Sequence, residues 1–255
     1  MAPTAPISFQ LYSARNAPPE ANVLKTLAEA GFTNVETYRP NYEDATAFRK
    51  ALDEAGLTAR SGHFDLTLAE ENFDRVVELC RTLGIETVVI PYLVPDARPR
   101  DEAGWRELGQ RLAELSAECN DEGLRLAWHN HDFEFVALPS GIYPIELILA
   151  DGVLWEADAA WIVRAGGDPA EWIERFAGRI VTVHVKDIAP EGENLDEDGW
   201  ADVGTGIVDW DRLWPLSVAC GATMMIAEHD NPSDFGRFAR VSAAKMRQLS
   251  GANAS

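Results

Sequence analysis

The feature that most constrains this chain is an eightfold alternation. A short run that reads as β-strand is followed by a segment that reads as amphipathic helix, and the pair recurs from 7–11 to 231–251. The strand-like runs are ISFQL (7–11), FTNVETY (32–38), LTARSGHF (57–64), IETVVIPY (85–92), LRLAWHNH (124–131), VLWEAD (153–158), RIVTVHV (179–185) and ATMMIAEHD (222–230). Several are near-continuous apolar runs, as parallel strands covered on both faces require. Between them, apolar residues recur at three- and four-residue spacing, as in Val77, Leu79, Cys80 and Leu83. Glycines close several of the helical segments, where a left-handed cap is needed.

Eight such units predict an α/β fold of one kind, a single (β/α)8 TIM barrel. An open doubly wound sheet needs fewer units, and no G-x-G-x-x-G follows the first strand. The length of 255 residues suits one barrel over 1–255, with a frayed tail at 250–255. No linker or low-complexity stretch divides it.

In such a barrel the site lies at the C-terminal ends of the strands. The chain has five histidines, His63, His129, His131, His184 and His229, and all fall at expected strand ends. Glu36, Asp158 and Glu228 end strands two, six and eight, and Glu134 follows strand five. Histidine with carboxylate suits a divalent ion, Mn²⁺ first, with Zn²⁺, Co²⁺ or Fe²⁺ as alternatives; Mg²⁺ prefers oxygen alone. Asp158, His184 and Glu228 come from adjacent strands and can converge on one ion. Structural zinc is not expected, because Cys80, Cys119 and Cys220 are scattered and form no thiolate pair.

Charge narrows the ligand. Forty-two acidic residues against 22 basic ones give −20, which repels phosphate backbones and anionic lipid. No nucleic acid and no membrane partner is expected, and no apolar run approaches the roughly 20 residues of a span. Three unpaired cysteines and no signal-type N-terminus point to a cytoplasmic protein.

The segments LAWHNHDFEF (126–135), EAD (156–158) with Trp161, HVKD (184–187), VGTGIVDW (203–210), AEHDNP (227–232) and FQLYSAR (9–15) resemble the xylose-isomerase-like sugar phosphate isomerase/epimerase family. The resemblance runs from strand one to strand eight. It implies a sugar or polyol substrate, metal-dependent isomerase or epimerase chemistry, and a homo-oligomer such as a dimer or tetramer. It also implies metal ligands at Asp158, His184 and Glu228. The family's further glutamate on strand five is missing, since Ala127 and Trp128 stand there. Glu134 is the first candidate to replace it, with His131 and His129 as alternatives. This departure brings the chain closer to inosose-dehydratase-like members.

Proton abstraction beside a carbonyl leads to epimerisation, isomerisation or elimination, so a lyase or dehydratase is the rival reading. Glu228 and Glu134 are the expected proton-transfer groups, with His129 or His131 assisting and Lys186 donating to a substrate oxygen. Gln10, Tyr12, Glu36 and His63 are expected to bind hydroxyls, and Trp161 to stack on a sugar ring. The acidic, glycine-rich stretch 189–206 fits a lid. An abasic-site nuclease and a non-catalytic sugar-binding barrel are the remaining alternatives.

Overall fold

The computed structural model describes residues 5–18, 21–149 and 152–251. Eight parallel strands close into a barrel: β1 (Ile7–Gln10), β2 (Asn34–Thr37), β3 (Thr58–His63), β4 (Thr87–Ile90), β5 (Arg125–His129), β6 (Leu154–Asp158), β7 (Ile180–Val185) and β8 (Met224–Ala227). Each pairs with its neighbour in sequence, and β8 returns to β1 through Ile7↔Met225. The fold is therefore the single (β/α)8 barrel that the alternation predicts. Of the expected frayed tail, residues 252–255 lie outside the described residues.

The outer ring holds α1 (Val23–Ala30), α2 (Ala45–Ala55), α3 (Leu66–Glu71), α4 (Phe73–Leu83), α5 (Glu102–Asp121), α6 (Pro144–Ile148), α7 (Ala159–Arg164), α8 (Pro169–Arg175), α9 (Trp210–Ala219) and α10 (Phe235–Leu249). Two of these depart from the sequence reading. The expected third helix breaks at Asn72, which leaves α-geometry (φ −147°) and splits it into α3 and α4. A short α7 follows β6 directly, started by Asp158, whose Oδ1 accepts the Trp161 amide and caps the helix.

The main core lies between the strands and the helices, with Leu27, Leu52, Leu112, Trp155, Val183 and Phe238 fully buried there. Inside the barrel a separate apolar cluster of Val89, Ala127 and Val181, with Leu154 against it, fills the end below the site. Ala127 precedes His129 on β5 and Leu154 precedes Glu156 on β6, so period-two alternation aims the polar members inward one step higher.

The ladder is irregular at two places. Between β2 and β3 the partner of Val35 is Ala59 but that of Glu36 is Ser61. Between β6 and β7 the partner of Trp155 is Ile180 but that of Glu156 is Thr182. One extra residue on the neighbouring strand re-aims side chains locally. Both irregularities fall beside a carboxylate buried inside the barrel.

Helix α5 approaches α6 closely through Gly109. A Cβ at that position would stand 2.2 Å from the Leu147 carbonyl oxygen, which belongs to backbone and cannot swing aside. Gly109→Ala is expected to destabilise the fold by about 1–3 kcal/mol despite the better helix propensity of alanine. A lower denaturant midpoint at unchanged m-value would register this; an unchanged midpoint would show that α6 moves freely.

Candidate active site

Four of the five histidines converge at the mouth of the barrel. His184, on β7, is fully buried, and both of its ring nitrogens face carboxylates. Its Nδ1 lies 2.8 Å from Glu228 Oε2 and 4.0 Å from Asp158 Oδ2. Its Nε2 lies 2.8 Å from Glu36 Oε1 and 3.0 Å from Glu156 Oε1. His63 approaches the same two deep carboxylates, at 3.0 Å from Glu36 and 2.8 Å from Glu156. Gln10 accepts the Tyr12 amide with its oxygen, which turns its nitrogen to donate to Glu36 at 2.8 Å. Thr182 donates to Glu156 at 2.7 Å.

Two overlapping groups have the donor atoms a cation needs. His129, Asp158, His184 and Glu228 each offer one atom, all within 4.8 Å of one another, at the mouth. His63, His129, Glu156 and His184 form the second group on the same criterion. Asp158 Oδ2 and His129 Nδ1 are buried with no hydrogen-bond partner. Unsatisfied buried donors and acceptors are costly unless something fills the gap. Two imidazoles and two carboxylates fit a divalent transition ion, with Glu36 and Glu156 behind His184 to orient the ring.

The electrostatics follow from burial. Burial opposes charge on His184, but Glu156 and Glu228 hold its pKa well above the ordinary histidine value. Burial likewise opposes ionisation of Glu228, yet Lys186 and His184 keep its carboxyl well below the usual range. Burial raises Asp158, and the Lys186 charge only partly offsets this. Lys186 is fully buried; its ammonium lies 2.5 Å from Asp230, 3.2 Å from Glu228 and 3.7 Å from Asp158, over the Trp200 ring at 4.2 Å. Lys186 therefore pairs with Asp158, and not with the adjacent Asp187.

A cavity of about 530 Å³ opens above this group, and Tyr12, His63, His129, His131, Trp161 and Glu228 are on its wall. His131 Nδ1 and Trp161 Nε1 have no hydrogen-bond partner. Burial pushes the His131 pKa well below the ordinary value, so its imidazole is neutral. Glu36 and Gln10 are fully buried and neither is on the cavity wall; Glu36 meets His63 and His184, and Gln10 meets Glu36.

Three sequence expectations meet a different geometry. Glu134 stands outside both cation groups: its Oε1 accepts Trp128 Nε1 at 3.0 Å and its Oε2 accepts the His131 amide at 2.8 Å. It folds back under the strand through a short turn at Phe133–Phe135 and holds His131 in place. His229 points away from the mouth, packs on Phe238 and accepts the Asn231 amide. The stretch 189–206 is anchored. The Asp187 carboxylate accepts the amides of Ile188, Gly204, Gly206 and Val208, and Arg237 ties down Glu197 and Asp202. Glu156 is the group that sequence reasoning missed; it shares the inward face of β6 with Asp158, two residues on.

A closed barrel with a histidine–carboxylate group under one cavity defines a class, and comparison with known proteins names it. The chain belongs to the family described as xylose isomerase-like TIM barrel, which matches residues 24–216. Among curated proteins it is similar to the rhizopine catabolism protein MocC of Rhizobium meliloti, 27% identical over 67% of this chain and 58% of the relative. It is also similar to an inosose dehydratase of Clostridium botulinum, 22% identical over 66% of this chain and 63% of that protein. The matches thus span less than two thirds of the length of these relatives. Among solved structures, a sugar phosphate isomerase/epimerase of Parabacteroides distasonis superposes with a TM-score of 0.79 at 22% identity, covering 97% of this chain and 94% of that one. No helix among the described residues is long and apolar enough to cross a membrane.

Two measurements probe this geometry. Glu134→Gln places an amide NH₂ against either the His131 N–H or the Trp128 N–H. It is expected to cost about 1–3 kcal/mol of stability and to leave metal content unchanged; loss of metal would return Glu134 to the ligand set. His63 concerns the metal-free protein. Burial opposes its charge, but Glu36 and Glu156 push its pKa up to about 9 from 6.5. The folded state then holds a proton that the unfolded state releases. The resulting stability is complete below about pH 6.5 and is lost as pH rises through about 9, at roughly 1.4 kcal/mol per unit. His63→Gln should flatten that slope in urea titrations across the same range, and an unaltered slope would assign it elsewhere.

Proposed function

We propose that this chain is a divalent-metal-dependent sugar or polyol isomerase or epimerase that works by removing a proton next to a carbonyl. The observation that carries the reading is the convergence of His129, Asp158, His184 and Glu228 under a cavity whose wall includes a neutral, unbonded imidazole, His131. A bound ion, Mn²⁺ first and Zn²⁺, Co²⁺, Fe²⁺ or Mg²⁺ as alternatives, supplies Lewis acidity toward a carbonyl oxygen.

The chain's own residues supply the rest. Asp158, His184, Glu228 and His129 would hold the ion, and Glu36 and Glu156 fix the His184 ring. His131 accepts a proton at Nδ1, which has no competing donor. Glu228, one residue beyond β8, is on the cavity wall and is the second proton-transfer group. Lys186, charged and held by Asp230 and Glu228, stabilises negative charge that develops on substrate oxygen. Trp161 Nε1 and Tyr12 hydrogen-bond to hydroxyls. Trp161 packs edge-on against Trp200 with ring centroids 4.8 Å apart, so its orientation is set in advance.

The second reading is a lyase or dehydratase, in which the same proton removal expels a β-hydroxyl or glycosyl group. The similarity to inosose dehydratases supports it, at 20–23% identity. Incubation of the metal-loaded protein with keto-sugars and inososes in D₂O separates the two. An isomerase or epimerase incorporates deuterium into a product of otherwise unchanged formula; a lyase gives a product lighter by the lost group.

His131→Gln is expected to slow hydrogen exchange by about 10²–10⁴-fold at unchanged metal content. Asp158→Asn is expected to weaken metal binding at least about tenfold. Absence of exchange and of elimination across the panel, with every ion tried, would defeat both readings.

A further inference from the structure

Resting on that reading of the site, we infer that the substrate is a ring ketone carrying a second, apolar ring, that is, a glycoside and not a sugar phosphate. The cavity has two zones. Its floor is the histidine–carboxylate group, and its upper wall is Tyr12, Tyr38, Pro91 and Tyr92. Its volume of about 530 Å³ lies within the range of about 300–1,000 Å³ that holds drug-sized ligands, and exceeds what one sugar ring needs.

The upper zone is built, not incidental. Tyr12 and Tyr92 are 38% and 40% exposed, yet each is held by an arginine. The Arg15 guanidinium lies 4.0 Å from the Tyr12 ring centre, and Tyr12 meets Tyr38 edge-on at 5.6 Å. Arg98 donates to the Tyr92 hydroxyl at 2.7 Å, with its guanidinium stacked on Phe133 at 3.6 Å. Tyr92 in turn packs against His131 at 4.8 Å, so the aromatic zone continues directly into the proposed chemistry. Rigid aromatic faces at an open mouth bind flat apolar surface with little loss of side-chain entropy.

The same wall is poor ground for phosphate. Arg39 is the cation that lines it, 4.0 Å from Asp65, and three carboxylates, Asp65, Glu228 and Asp230, face the same space. Lys186 is buried and engaged by Asp230. A phosphate on the aromatic zone finds Arg39 already facing Asp65, and Arg98 already engaged by the Leu93 carbonyl oxygen and the Tyr92 hydroxyl. A glycoside has a blocked anomeric carbon, so its acidic C–H stands beside a ketone of the ring itself.

The test uses the metal-loaded full chain and three derivatives of one hexopyranose whose C3 is oxidised to a ketone: the methyl glycoside, the phenyl glycoside and the 6-phosphate of the methyl glycoside. Solvent deuterium incorporation and aglycone release are followed for each. The phenyl glycoside should show a KM about tenfold below the methyl one, the phosphate should be the poorest, and Tyr92→Ala should close the phenyl–methyl gap. Equal KM values, or preference for the phosphate, overturn the inference while the proton-transfer reading stands. If none of the three reacts, the proton-transfer reading stands or falls on the panel of keto-sugars and inososes. Calorimetric binding of phenyl and methyl β-D-glucoside then decides the apolar subsite alone: tighter phenyl binding supports it and equal binding ends it.

Discussion

The whole mouth of this barrel is organised around one buried imidazole. His184 lies between Glu228 and Glu36 at 2.8 Å on either side, with Glu156 at 3.0 Å. Carboxylates this deep are tolerated only when positive charge and hydrogen bonds compensate for lost hydration. Lys186 compensates one side. On the other, without an ion, histidine protons do so. A metal held by His184 under the proposed function would therefore exchange for a proton, and affinity for it would rise with pH. The two register irregularities beside Glu36 and Glu156 fit this constraint: the strands deform where charge has to be turned inward.

Much of this was legible in the sequence, and the misses have specific causes. The eightfold alternation sufficed for the barrel, because strand and helix periods differ and the connections are short. Placing sites at strand ends found Asp158, His184 and Glu228, the residues that the structure brings together. The same rule over-reached at His229, which follows Glu228 directly; neighbours along a strand point to opposite faces, so alternation alone separates them. It under-reached at Glu156, which sits one inward step below Asp158 and was hidden inside an apolar run. Glu134 is different in kind. Its partners, Trp128 and the His131 amide, depend on a tight turn that no periodicity encodes.

The comparisons divide along similar lines. Family membership and barrel shape agree, but the curated relatives include a catabolic protein and dehydratases, and a solved neighbour is described as an isomerase/epimerase. One scaffold hosts many chemistries, so function has to be argued from side chains. Here the informative ones are those the barrel leaves without hydrogen-bond partners, Asp158 Oδ2, His129 Nδ1, His131 Nδ1 and Trp161 Nε1. They mark where, under the proposed function, ion and substrate would complete the structure.

The anchored stretch 189–206 has a kinetic corollary. With Asp187 gathering four backbone amides and Arg237 clasping Glu197 and Asp202, the stretch that backs Trp161 through Trp200 is a fixed support and not a door. Ligand exchange is then not timed by the opening frequency of a flap made of this stretch. Under the proposed function, discrimination among sugars would then fall to the contour of the wall that Trp161 helps to form, and bulk water would be expelled by the substrate's own bulk.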